Sequence, residues 1–148
     1  MSAPHQDKAL PTRLDRRREP RHVLVVAVEA VVPEGLAHAD VVVVAPALNS
    51  RLRRWVSDED AARRHAEERL GALVARLRPI AGHVEGRVGD ADPLLAIGDA
   101  LATFAADEIV VAAGAEFSTA RALDFVARAR ERFALPVLRA GDSQAIAA

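Results

Sequence analysis

The residues with most chemical capacity in this 148-residue chain are Gly89, Asp90 and Asp92, the glutamate Glu29, and an arginine run beside the lone tryptophan. Gly89-Asp90-Ala91-Asp92-Pro93 sets two carboxylates one residue apart, a spacing that cation loops also use. An EF-hand needs a longer run of Asp, Asn and Gly, and Pro93 interrupts it here, so no metal is expected. The same five residues read as a tight turn ending in an Asp N-cap, with proline at the first helical position. The histidines His5, His22, His38, His65 and His83 are scattered and form no H-x-x-x-H pair. Ser50, Ser57, Ser118 and Ser143 lack a G-x-S-x-G elbow. With no cysteine there is no disulfide frame, thiolate metal site or thiol nucleophile. Trp55, beside Arg51, Arg53 and Arg54, has two readings. It is a binding lip, since guanidinium groups stack on aromatics and pair with phosphate, or a cap over the core where a loop enters a helix. Acid–base catalysis needs titratable groups converging in one cleft. Spacing alone brings none together, and no catalytic residue is assigned.

The elements that must position these residues alternate between strand and helix. Val23 to Val28 and Val41 to Val44 are continuous apolar runs, the pattern of strands buried on both faces of a parallel sheet. They predict strands over His22–Glu29 and Asp40–Ala45. Only Ala30 to Ala39 separate them, at the lower limit of about 10–12 residues for a parallel crossover. Pro33-Glu34-Gly35 leaves room for about one helical turn, so the first crossover helix is expected to be shortened. Its shortness predicts a sheet face left partly open in a monomer. A long helix is predicted over Asp58–Arg78, with Ser57 as N-cap, acids in its first turn, and Ala62, Ala66, Leu70, Leu73, Val74 and Leu77 as the buried stripe. Further strands are predicted at His83–Val88, Glu108–Ala113 and Leu135–Arg139. The helices between them carry Leu94, Ile97, Leu101 and Phe104, then Leu123, Val126 and Phe133, as inward residues. The class is α/β, a three-layer α/β/α sandwich around a mostly parallel, doubly wound five-stranded sheet.

Composition bounds the rest. The chain suits one domain at residues 22–140, and its 51% hydrophobic share supplies an aliphatic core. Residues 1–21 read as a disordered arm rich in arginine, either a solvated terminus or a basic tail for an anionic partner. Residues 141–148 read as a frayed tail. A net charge of −1 gives no field that would recruit nucleic acid. No apolar stretch reaches the roughly 20 residues of a membrane span, and Met1 to Leu10 lack a signal-peptide core. No membrane association and a cytoplasmic location are expected.

Several stretches resemble the universal stress protein family across about residues 22–139. Val23–Glu29 is similar to the family's opening strand, with Glu29 where an aspartate usually stands. Val88-Gly89-Asp90-Ala91-Asp92-Pro93, the helix carrying Ile97, Ala100 and Ala105, and Ala106-Asp107-Glu108-Ile109-Val110-Val111 resemble its third-to-fourth-strand unit. Leu135-Pro136-Val137-Leu138 resembles its closing strand. Pro46-Ala47-Leu48-Asn49-Ser50-Arg51, with Trp55 and Ser57-Asp58-Glu59-Asp60, looks like an actinobacterial subgroup of such domains. The resemblance implies strand order 3-2-1-4-5, a homodimer paired through the closing strand, and in one branch of the family an ATP site at the carboxyl ends of the strands. The implied crevice would be lined by Glu29, Val44, Gly89, Asp90 and Gly114, with Glu29 reaching a ribose hydroxyl. Glu29 reads equally as a solvated strand end, and Gly89 and Asp90 as shapers of a turn.

The ATP-binding branch carries Gly, two residues, Gly, nine residues, then Gly and Ser or Thr, so that backbone N–H groups approach the phosphates. This chain keeps Gly114, but has Phe117 at the second glycine and Ala127-Arg128 at the final pair. The phosphate cradle is mostly missing. The resemblance therefore implies a non-enzymatic binding or regulatory module with no cofactor expected and a protein partner conceivable. An alternative is an adenine-nucleotide-binding member that holds phosphates with Arg51, Arg53, Arg54 or Arg121; a nucleotide hydrolase ranks last.

Overall fold

A computed structural model describes residues 20–48, 59–114 and 119–140. Five strands form one all-parallel sheet: β1 His22–Ala27, β2 Asp40–Pro46, β3 His83–Gly89, β4 Glu108–Ala112 and β5 Val137–Arg139. Three helices join them: α1 Glu59–Leu77, α2 Pro93–Leu101 and α3 Thr119–Arg132. The strand order is β3-β2-β1-β4-β5, as the resemblance implies. The chain winds outward from β1 in one direction, then returns past it to β4. Its switch point therefore lies between the ends of β1 and β4.

Alternation along the strands divides the core in two. Leu24, Val26, Val42, Val44, Ile109 and Val111 face α2 and α3, meeting Ile97, Ala100, Val126 and Ala129. Val23, Val25, Val41, Val43 and Val110 face α1, meeting Ala66, Leu73 and Leu77. Central strands buried on both sides explain why their sequences run apolar without a break.

The first crossover carries turns and no helix, shorter still than the single turn expected. Gly35 at φ 78° and His38 at φ 63° bend it sharply, and Leu36 and Ala39 drop into the α1-side cluster. The face expected to lie partly open is covered there: Val23, Val25, Ala27 and Ala112 are fully buried, and Val110 is 6% exposed. Two apolar side chains on a folded turn do the work of a helix.

Arg21 belongs to the folded body, one residue before the expected boundary. Its carbonyl accepts from the Asp40 N–H at 2.8 Å, and its guanidinium meets Glu108 at 3.1 Å and the Gly35 carbonyl. The remainder of the predicted arm and the predicted tail lie outside the described residues. In α1, Arg63 lies 3.6 Å from Glu67, an ion pair four residues on along the exposed side of the helix. In α3 the inward residues are Ala122, Val126 and Ala129, while Leu123, expected inside, is 59% exposed. Small residues let the helix lie close to the sheet, and Leu123 is turned about 100° from that seam. None of the described helices is long and apolar enough to cross a membrane.

Candidate functional site

Four of the five implied crevice residues fall into two separate pairs at the carboxyl ends of the strands, and Asp90 lies in the turn beside the second pair. The first is Glu29 with Gly114. Beyond β1 the N–H groups of Val28 and Glu29 both donate to the Ala112 carbonyl, at 3.1 and 2.9 Å. This tucks Glu29 over the end of β4. A Cβ on Gly114 would lie 2.8 Å from Glu29 Oε2 and 2.9 Å from Val31 Cγ2. Glycine there lets the Glu29 carboxylate and Val31 pack on the backbone, and a side chain would have to push them aside.

The second pair is Val44 with Gly89. A Cβ on Gly89 would meet Ala96 Cβ at 2.7 Å and Val44 Cγ2 at 2.8 Å, so its absence lets the start of α2 lie against β2 and β3. Val44 is 2% exposed and belongs to the core beneath α2. Asp90 shapes the turn: its Oδ1 accepts from the Asp92 N–H at 2.9 Å. Asp92 Oδ1 then accepts from the Leu94 N–H at 3.0 Å as the α2 N-cap, with Pro93 behind it. Both carboxylates of the Asp-x-Asp pair are thereby engaged with backbone. Among the described residues no group of three or more His, Asp or Glu side chains could hold a metal ion.

One arginine that sequence reasoning passed over stands between the two pairs. Arg69 of α1 donates from Nε to the Ala27 carbonyl at 3.3 Å and from Nη2 to the Pro46 carbonyl at 2.5 Å. It spans the ends of β1 and β2, where the sheet runs out of neighbouring N–H donors. Desolvation by burial lowers its pKa from the ordinary arginine value. Its position carries a signal, three residues after Ala66 and four before Leu73, on the apolar stripe itself. Two turns further along α1, Arg76 donates to the Ala30 carbonyl at 3.1 Å. Together the two arginines strap the helix-less crossover to α1.

The larger cavity, about 490 Å³, opens between the start of α1 and the β3–α2 turn, beside Ala47, Gly89 and Ala91. Glu59, Asp60 and Asp90 line it together with Arg63. The acids of the first turn neutralise the positive end of the α1 dipole that would otherwise attract an anion. A second cavity of about 210 Å³ lies beside α2, between Val44, Arg87 and Asp99. Trp55, Ser57, Arg51, Arg53 and Arg54 lie outside the described residues, as does Phe117. Arg121 sits on the exposed first turn of α3. Ala127 and Arg128 stand about two turns inside α3, exposed, with Arg128 3.2 Å from Asp124. Positions inside a helix have their N–H groups committed to the preceding turn, so this pair presents none to a phosphate.

The fold and these sites define a doubly wound, all-parallel α/β domain with Arg69 across the ends of β1 and β2 and three acids to one arginine among the residues that line the larger cavity. No protein-family model and no curated protein matches the chain.

Proposed function

We propose that this chain is a non-enzymatic binding or regulatory module of the universal stress protein type that does not use the family's ATP phosphate cradle. The observation that carries the reading is the placement of carboxylates at the strand ends. Glu29 Oε2 lies against Gly114, the one glycine of the cradle present, so an approaching phosphate would meet negative charge at that backbone. Around the larger cavity Glu59, Asp60 and Asp90 outnumber Arg63, and Arg63 is itself paired with Glu67. Like charge in a partly enclosed site repels a polyphosphate by several kcal/mol. Among the described residues the site contains no arrangement of acid, base and nucleophile to which hydrolysis could be assigned, and the reading gives the chain no catalytic role. It places the protein in the cytoplasm as a homodimer that pairs through β5, with a protein as its other partner.

The test is calorimetric titration of the purified full chain with ATP, with and without Mg²⁺. Binding weaker than about 1 mM is the expected result. A micromolar dissociation constant would establish the alternative, a nucleotide-binding member whose phosphates are held by arginines including Arg121. Substituting Arg121→Ala would then weaken that binding.

A further inference from the structure

The amino end of the sheet carries an apolar groove. Leu101 and Phe104, at and just after the end of α2, and Phe133 and Leu135, just after α3, surround a cavity of about 400 Å³. All four are partly buried and pack on the core beneath α2 and α3. Arg132 and Ala134 stand exposed on its rim. The Arg132 guanidinium lies 5.9 Å from the centre of the Phe133 ring and has no carboxylate partner among the described residues. The topology decides which part of the chain lies nearest. All strands run the same way, so residues 49–58 and 115–118 leave and return at the carboxyl end, and residues 141–148 start there. The arm, residues 1–19, joins the body at the amino end, beside the groove. There the His22 ring meets the Phe104 ring at 5.8 Å, and the His22 carbonyl accepts from the Asp107 N–H at 2.7 Å. Apart from Met1, the large apolar residues of the arm are Leu10 and Leu14. Leu14 precedes Arg21 by seven residues, a reach of up to about 25 Å.

We propose that this groove seats the chain's own amino-terminal arm, with Leu10 and Leu14 against Leu101, Phe104, Phe133 and Leu135. Asp15, next to Leu14, supplies the carboxylate that Arg132 lacks. Arg16, Arg17 and Arg18 then lead back to the body beside Asp107, which is 63% exposed. A tethered segment meets its site at an effective concentration of about millimolar, so two leucines hold where a free peptide would dissociate. An open groove of phenylalanine and leucine invites unspecific association, and a seated arm removes that surface. The docking is independent of the reading of the carboxyl end.

The chain has no cysteine, so two introduced thiols are the only ones present. In the full chain, Thr12→Cys is combined with Ala134→Cys on the groove rim, or with Ala75→Cys, also exposed but on α1 across the sheet. A short bis-maleimide reagent should join 12 to 134 within one chain about tenfold faster than 12 to 75. Adding Leu10→Ser/Leu14→Ser should abolish that excess. The same two serines in the otherwise unchanged chain should lower the melting temperature by about 3 °C. Equal rates for the two thiol pairs overturn the proposal and leave the groove to a different partner. Products that join two chains also overturn it, because the arm of a second copy is then the occupant. An unchanged melting temperature in the serine variant overturns it as well, since the leucines then cover no apolar surface.

Discussion

The two ends of the sheet meet the same problem, strands that stop with polar backbone exposed, and solve it differently. At the amino end the solution is charge on the surface. The His22 N–H donates to Asp107 Oδ2 at 2.8 Å, the imidazole lies 3.4 Å from Asp40 and 3.7 Å from Asp107, and Arg21 meets Glu108. Asp107 and Arg21 are the most solvated, 63% and 52% exposed, and water can replace either, while Asp40 and Glu108 are more shielded. At the carboxyl end the solution is close packing. Gly89 and Gly114 admit neighbours that a methyl group would exclude, and Arg69 reaches in from α1 to hold two carbonyls. Doubly wound sheets bind ligands at their carboxyl ends because loops and helix starts leave a crevice there. In this chain Glu29 fills the space beside Gly114 and Arg69 bridges the ends of β1 and β2, while a cavity of about 490 Å³ stays open beside Gly89.

If that contrast is right, substitutions at the carboxyl end cost more. Arg69→Leu should have the largest effect, about 2–3 kcal/mol of stability, because in a partly buried place it removes the charged donor to the Ala27 carbonyl and leaves the Pro46 carbonyl only the Leu48 N–H. Urea denaturation of the variant checks this. A loss below about 1 kcal/mol would mean that water takes over as it does at the amino end, and the contrast would fail.

The two glycines sharpen the comparison. Gly89→Ala drives a methyl group into Ala96 Cβ and Val44 Cγ2, neither of which can swing aside, and should cost about 1–3 kcal/mol. Gly114→Ala meets the far ends of two side chains, Glu29 Oε2 and Val31 Cγ2, and should cost less, about 1 kcal/mol. Thermal melts of the pair test the inequality. Equal losses would show that Glu29 is held rigidly in place.

The smallest effect belongs to the amino end. Asp107→Ala removes the acceptor of the His22 N–H at an exposed site and should cost about 0.5–1 kcal/mol by urea denaturation. A loss of 2 kcal/mol or more would show that the His22, Asp40 and Asp107 cluster acts as a unit and that the amino end is no softer than the carboxyl end.

Much of this was legible in the residues. The unbroken valine runs of β1 and β2 are strands because only a sheet covered on both faces buries every side chain in succession. The α1 stripe and the Asp92-Pro93 helix start read correctly because both depend on neighbours within one turn. Leu123 read wrongly because hydrophobicity favoured it, while the distance between α3 and the sheet favoured the alanines beside it. For the site, the sequence pointed to Gly89, Asp90 and Gly114 as residues at strand ends, and they are there. It did not reveal that the space beside Gly114 is filled by Glu29, or that Arg69 bridges the ends of β1 and β2.

What the sequence determined by itself was the alternation of elements and the two-sided burial of the central strands, both set by residue type and local spacing. Only the tertiary structure decided which groups meet across long separations. Arg69 finds Ala27 and Pro46, Glu29 finds Gly114, Arg130 finds the Val137 carbonyl, and Leu36 substitutes for a covering helix. A carbonyl at a strand end accepts from any donor that reaches it. Which donor arrives depends on the path of the whole chain, and no local pattern encodes that path.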